Sequence, residues 1–135
     1  MSIEEERKRA SSETPLSADR EPSLVGDLEV RDHRIRFLIA FMRSNMQKKV
    51  SLIDLGRQVN LSPAHVSRLF STEIGLSPSE YLIRLRIDNA RRLLTNTMLS
   101  IKEIMALCGY NNRGHFVEHF KRYFSKAPSE YRKNG

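Results

Sequence analysis

One cysteine, Cys108, stands in 135 residues, so no internal disulfide can close, which suits a reducing cytoplasm. Long apolar runs are missing too: none approaches the roughly 18 residues that a membrane span needs. The polar start MSIEEERKRA lacks the apolar core of a signal peptide, so the expected location is cytoplasmic. Strand signals are scarce, with no sustained apolar alternation, no Asn-Gly hairpin turn and no β-branched run. There is no glycine-rich phosphate loop and no paired-carboxylate pattern, the marks of nucleotide-handling and acid–base enzymes. An all-α chain that is not an enzyme and carries no cofactor is the expectation.

What is abundant is positive charge, unevenly placed. Residues 1–30 carry four basic and eight acidic side chains, a net of −4, whereas residues 31–135 carry nineteen and eight, a net of +11. Together they make the chain's +7. A body this positive attracts polyanions, nucleic acid foremost; the plainer reading is a solvated basic surface.

Residues 1–30 read as a flexible polar tail, rich in Ser, Glu, Arg and Pro and too poor in apolar residues to offset chain entropy. A short helix over Ser2–Ala10, capped by Ser2, is the only element they suggest. Helical periodicity begins at Asp32, a candidate N-cap. Ile35, Leu38, Ile39, Met42 and Met46 trace one apolar face of a helix over Asp32–Gln47, and Phe37 with Phe41 widen the arc towards burial on two sides.

An internal repeat organises the rest. Ser51–Tyr81 reads SLIDLGRQVNLSPAHVSRLFSTEIGLSPSEY and Ser100–Tyr131 reads SIKEIMALCGYNNRGHFVEHFKRYFSKAPSEY. Leu52, Leu55, Val59 and Leu61 align with Ile101, Ile104, Cys108 and Tyr110; after a one-residue slip, Val66, Phe70 and Ile74 align with Phe116, Phe120 and Phe124. The tetrapeptide Pro78-Ser79-Glu80-Tyr81 recurs as Pro128-Ser129-Glu130-Tyr131, which argues against coincidence. Each copy predicts a short helix, a tight turn and a second helix. In the first, Asn60 can take the left-handed conformation, Ser62 can cap, Pro63 suits the first helical position, and Val66, Leu69 and Phe70 face inward. In the second, Gly109 takes the turn, Asn111 or Asn112 caps, and Phe116, Phe120 and Phe124 face inward. Between the copies, Pro78 to about Thr95 reads as one helix about 27 Å long at 1.5 Å per residue. The implied organisation is a tail (1–30), a first helix-turn-helix subdomain (31–77), a linker helix (78–96) and a second subdomain (97–135). Major-groove faces on one side of B-DNA recur every ~34 Å, a separation such a spacer can serve.

The segments SLIDLGRQVNLSPAHVSRLF, GLSPSEYLIRLRIDNARRLL and IKEIMALCGYNNRGHFVEHFKRYFSKAPSEYRK resemble the DNA-binding domain of the AraC/XylS family of bacterial transcription regulators. Counting the helix at Asp32–Gln47, the resemblance covers about 100 of the 135 residues. It implies a two-lobed fold of about seven helices, in which the second helix of each unit reads a major groove of promoter DNA. It also implies RNA polymerase as a further partner, a monomeric module, and a location on the nucleoid.

Once the apolar residues claim the inner faces, the outer face of the first reading helix is left with Ala64, Ser67, Arg68 and Ser71. The second is left with Arg113, Gly114, Val117, Glu118 and Lys121, with His115 at the edge. The base-contacting positions that the resemblance implies are Ala64, Ser67 and Arg68, then Arg113, Gly114, His115 and Glu118. Arg68 can pair bidentately with guanine O6 and N7, or take a phosphate; Arg113 has the same two options. Ala64 offers a methyl group to thymine, or is neutral filler. Ser62, Asn112, Lys121 and Arg132 are the phosphate candidates, plain solubility being the other role for the last two. Val117, Glu118 and His119 depart from the family's usual Ser or Thr, basic or polar, and small apolar residues, which points to a more permissive second reader. Met105, where alanine is usual, points to altered packing in that lobe.

His115-Phe116-Val117-Glu118-His119 also spells the inverted zinc-protease motif, but Phe116 matches a core position of the first repeat and Glu130 is the only carboxylate that follows. Cys108 matches Val59 and reads as packing. The rival function is a helical protein-interaction module, docking on polymerase or another regulator without specific DNA binding. Thirty polar residues cannot form an effector domain, so the chain is either a stand-alone regulator or a piece of a longer one.

Overall fold

The computed structural model describes residues 30–134, so the expected tail and the helix over Ser2–Ala10 lie outside the described residues. Among these residues there are seven helices and no strand: α1 (His33–Ser44), α2 (Leu52–Val59), α3 (Pro63–Ile74), α4 (Pro78–Asn96), α5 (Ile101–Leu107), α6 (Arg113–Phe124) and α7 (Pro128–Asn134).

Helix starts follow capping chemistry. Asp32 caps α1 by accepting from the Arg34 N–H at 2.8 Å, and the Arg34 guanidinium beside it holds the Asp32 carboxyl down at about 2. Ser51 and Ser100 open α2 and α5 with full capping boxes, in which Asp54 and Glu103 return a bond to the Ser backbone N–H at 2.9 and 2.8 Å. Helix α1 ends at Ser44, not Gln47: the backbone leaves the helical conformation at Asn45, whose amide side chain donates to the Phe41 carbonyl at 2.8 Å. Met46 therefore packs from a turn.

Two apolar cores result. The first gathers Ile35, Leu38 and Met42 of α1, Leu55 of α2, Val66 and Phe70 of α3, and Tyr81, Leu82 and Leu85 of α4. The second gathers Ile87, Ala90 and Leu94 of α4, Ile104, Met105 and Cys108 around α5, and Phe116 and Phe120 of α6. Helix α4 thus gives its first half to one lobe and its second half to the other. Phe70, Phe116 and Phe120 are fully buried, each contributing about 1.5–3 kcal/mol. The expectation that α1 is buried on two sides is corrected: Phe41 packs against the core, but Phe37 is 51% exposed.

Two arginines, one of α4 and one of α7, bind neighbouring loops to α4. Arg86 donates to the carbonyls of Met46 (3.1 Å) and Lys48 (2.8 Å), closing the α1–α2 turn onto α4. At the far end, Arg132 of α7 donates to the carbonyls of Leu94, Thr97 and Leu99 at 3.2, 3.1 and 2.6 Å. That clamp satisfies acceptors which the end of α4 would otherwise leave open.

Candidate nucleic-acid interface

Each reading helix is aimed by the turn before it. In the first unit Asn60 takes the left-handed conformation (φ 59°, ψ 45°), and the Leu61 N–H reaches back to the Gly56 carbonyl at 2.9 Å. The chain passes so close that a Cβ on Gly56 would stand 2.4 Å from the Leu61 oxygen. The second unit repeats the turn with Gly109 at φ 85° and the Tyr110 N–H on the Met105 carbonyl at 2.8 Å. The one-residue slip falls between Tyr110 and the next cap. Asn112, rather than Asn111, caps α6 by accepting from the His115 N–H at 2.9 Å, as Ser62 accepts from the His65 N–H at 3.1 Å.

These turns leave one face of each second helix uncovered. On α3, Ala64, Arg68 and Ser71 are exposed and Ser67 is half-buried. On α6, Arg113, Gly114, His115, Glu118 and Lys121 are exposed and Val117 is half-buried. Arg113, Gly114, Val117, Glu118 and Lys121 line one shallow, open depression. A Cβ on Gly114 would stand 3.2 Å from the Asn112 Oδ1, the atom that caps the helix. The matching Ala64 follows a smaller serine cap. Ser67 of α3, Arg86 of α4 and His119 of α6 are among the residues that line a cleft of about 360 Å³.

Of the four phosphate candidates, Ser62 and Asn112 sit at the two caps and Lys121 is exposed on α6. Arg132 is elsewhere. Its guanidinium is taken up by three carbonyls at the end of α4, so its positive charge serves a helix terminus and not the reading face.

The zinc-motif histidines are occupied differently. His119 shares a 2.7 Å hydrogen bond with the Tyr110 hydroxyl through Nδ1, and the His115 ring stacks on it at 6.3 Å. Burial pushes the His119 imidazole below its ordinary range and the Tyr110 phenol above its own. No three His, Cys, Asp or Glu residues among those described gather closely enough to hold a metal ion. Cys108 is buried beside the Asn89 amide (3.6 Å), and desolvation lifts its thiol to about 11, far from a nucleophile's range.

Sequence reasoning missed the contacts between the lobes. A Cβ on Gly109 would stand 2.0 Å from the Met46 carbonyl and 2.9 Å from the Arg86 Nε, so the turn of the second unit lies directly on the α1–α2 turn of the first. Glu80 of α4 accepts from the Tyr123 hydroxyl of α6 and lies 3.6 Å from the Arg122 guanidinium. Nothing in the spacing of these residues announced them, since each looks like an ordinary solvated side chain.

A family model described as a helix-turn-helix domain matches residues 55–134. The transcriptional activator RhaS of Enterobacter sp. (strain 638) is 36% identical over 113 residues, 84% of this chain and 41% of its own length. The transcriptional regulator GbdR of Pseudomonas aeruginosa (strain UCBPP-PA14) is 33% identical over 99 residues, 73% of this chain and 27% of its own. The chain thus spans well under half the length of these curated relatives. Among solved structures, the C-terminal domain of AraT, a response regulator from Geobacillus stearothermophilus, superposes with a TM-score of 0.73 at 27% identity, covering 77% of this chain and 87% of that one. The DNA-binding domain of AdpA, solved with a target DNA, shares the fold with a TM-score of 0.72 at 24% identity over 75% of this chain and 91% of its own. Two capped reading helices on a shared linker, and a matching model across most of the described residues, lead to one assignment: the chain belongs to the AraC/XylS family of helix-turn-helix transcription regulators.

Proposed function

We propose that this chain binds double-stranded promoter DNA sequence-specifically, inserting α3 and α6 into successive major grooves and thereby regulating transcription. The observation that carries this reading is the equivalence of the two helices. Both are opened by a polar cap, aimed by a left-handed turn, packed on one face by aromatic and aliphatic side chains, and bare on the other. The AdpA domain, of the same fold, was solved on its target DNA, which supports the same use here.

The division of labour follows from the outer faces. Arg68 supplies the bidentate donor that suits guanine, with Ala64 and Ser67 alongside for methyl and hydroxyl contacts. Arg113 reaches base or phosphate from the start of α6, next to Gly114 and His115. Glu118, an acceptor only, repels phosphate unless it meets a cytosine amine. Ser62, Asn112 and Lys121 fix register on the backbone. The bound unit is one copy of the chain, in the cytoplasm on the nucleoid; likeness to named activators supports activation as its mode, with RNA polymerase as the partner proposed for it.

A mobility-shift titration across salt concentrations tests the reading. Each neutralised phosphate steepens the log–log slope by about 0.9, so a body of net +11 predicts a steep fall in affinity with salt. A flat plot, or equal binding to any competitor duplex, would overturn it.

A further inference from the structure

Three helix starts in this molecule use the acidic residue at the third helical position in the same way. The carboxylates of Asp54, Glu103 and Glu130 each turn back to accept the backbone N–H three residues earlier, on Ser51, Ser100 and Ala127, at 2.9, 2.8 and 3.0 Å. Glu80 has the same position in α4, after the cap Ser77, and stands in the first copy of the tetrapeptide that contains Glu130. Its carboxylate is spent differently. It leaves its own helix start and crosses to the second lobe, accepting from the Tyr123 hydroxyl and lying 3.6 Å from both the Arg122 Nη1 and the Arg84 Nε. The Arg84 Nε is buried without a hydrogen bond, so that contact is one of charge. The guanidinium carbons of Arg84 and Arg122 lie 5.2 and 5.9 Å from the centre of the Tyr123 ring.

The placement matters because of where these residues sit. Glu80 is at the first turn of α4, packed in lobe one, and Arg122 and Tyr123 are in the last turn of α6, the second reading helix. This cluster ties the last turn of α6 to the first turn of α4. Giving up a capping bond for a contact across the lobes is explained by a need to hold α6 at one angle.

We propose that Glu80, acting on Tyr123 and Arg122, is a positioning residue that locks α6 relative to α3 and so sets the half-site spacing that the protein accepts. The proposal rests on the DNA-binding reading above. With one helical turn of about 10.5 base pairs between half-sites, each base pair added or removed rotates the second groove by roughly 34° and shifts it by about 3.4 Å. A locked pair of helices cannot follow that change, whereas an unlocked pair follows it in part.

The test measures affinity of the full chain for its selected site and for the same site with one base pair inserted or deleted between halves. The wild type is expected to lose roughly tenfold or more on either change, against about threefold or less for Glu80→Ala and Tyr123→Phe. Glu130→Ala is the control, since it removes the same residue from the other tetrapeptide and should keep the wild-type penalty. Tyr123→Phe keeps the ring between the two guanidinium groups, so it carries the test if Glu80→Ala fails to fold. Folded variants of Glu80 and Tyr123 that keep the full spacing penalty would overturn the latch. So would a Glu130→Ala protein that loses the penalty equally. A wild type that binds no duplex would instead overturn the function on which the proposal rests.

Discussion

The two lobes run one plan with different materials, and the differences fall at matched positions. Lobe one leaves its first helix through Gly56, where no Cβ fits; lobe two has Met105 there, buried, with the same backbone bond closing the turn. Lobe one packs Leu61 and Leu69 against its core, whereas lobe two puts Tyr110 and His119 at those places and joins them by a hydrogen bond. Helix α3 ends on Gly75 at φ 88°, while α6 ends on Ser125 at φ 64°, a conformation that costs an L residue. The outer faces differ in the same sense, Arg68 in one against Glu118 in the other. Lobe one holds these matched positions with apolar packing and exposes the donor Arg68, its own left-handed residue, Asn60, lying in the turn before α3. Lobe two spends more polar chemistry on holding itself together and exposes the acceptor Glu118 on the matching face.

The largest expected effect is at the seam. Gly109→Ala combines a left-handed backbone with a Cβ driven into the Met46 carbonyl, and should lower stability by more than about 2 kcal/mol in denaturant unfolding. Asn60→Ala, at the matching turn of lobe one, should cost only about 1–2 kcal/mol for the backbone conformation. Equal losses would show that the lobes do not press on each other there.

Arg132→Ala comes next. Removing the donor to three carbonyls should lower stability by about 1–3 kcal/mol, while the salt slope of DNA binding stays unchanged for the folded fraction. A shallower slope would return Arg132 to the phosphate backbone.

Ser125→Gly should raise stability by roughly 1 kcal/mol by relieving the left-handed serine, and Gly75→Ser should lower it by a similar amount. If neither changes the melting temperature, the two helix ends are not the matched pair described here.

The smallest effect is in pH. The folded His119 imidazole sits below its ordinary value of 6.5, chiefly through burial and then through Arg122. The unfolded chain therefore takes up this proton first. Stability contributed by neutral His119 is full above about pH 6.5 and declines as pH falls from there towards the depressed native value. His119→Leu, which copies Leu69 of lobe one, should flatten the stability curve across that window; an unchanged curve would mean that His119 is not the group responsible.

Much of this plan was legible in the residues because caps and turns are local. Asn60, Ser62, Pro63 and Gly109 each do what their own chemistry favours, and the repeat made the second unit readable from the first. The exposed faces of α3 and α6 followed by elimination from Val66, Phe70, Phe116 and Phe120. What stayed hidden was contact between distant segments. Arg132 looked like a free cation because nothing nearby in sequence reveals the carbonyls of Leu94, Thr97 and Leu99. Glu80 stood out only as part of the repeated tetrapeptide, because only the fold brings Tyr123 within reach. Phe37 looked buried because periodicity reports an apolar arc without showing whether a neighbour covers all of it.

The inequality of the two readers is tested most directly by selecting binding sites from randomised duplexes with the wild type, Arg68→Ala and Glu118→Ala. Arg68→Ala should lose about 1–3 kcal/mol at the preferred site and relax base preference in one half of the selected motif. Glu118→Ala should bind as well or more tightly, with at most a cytosine preference lost from the other half. A motif that Arg68→Ala leaves intact, while Glu118→Ala erases half of it, would contradict the account.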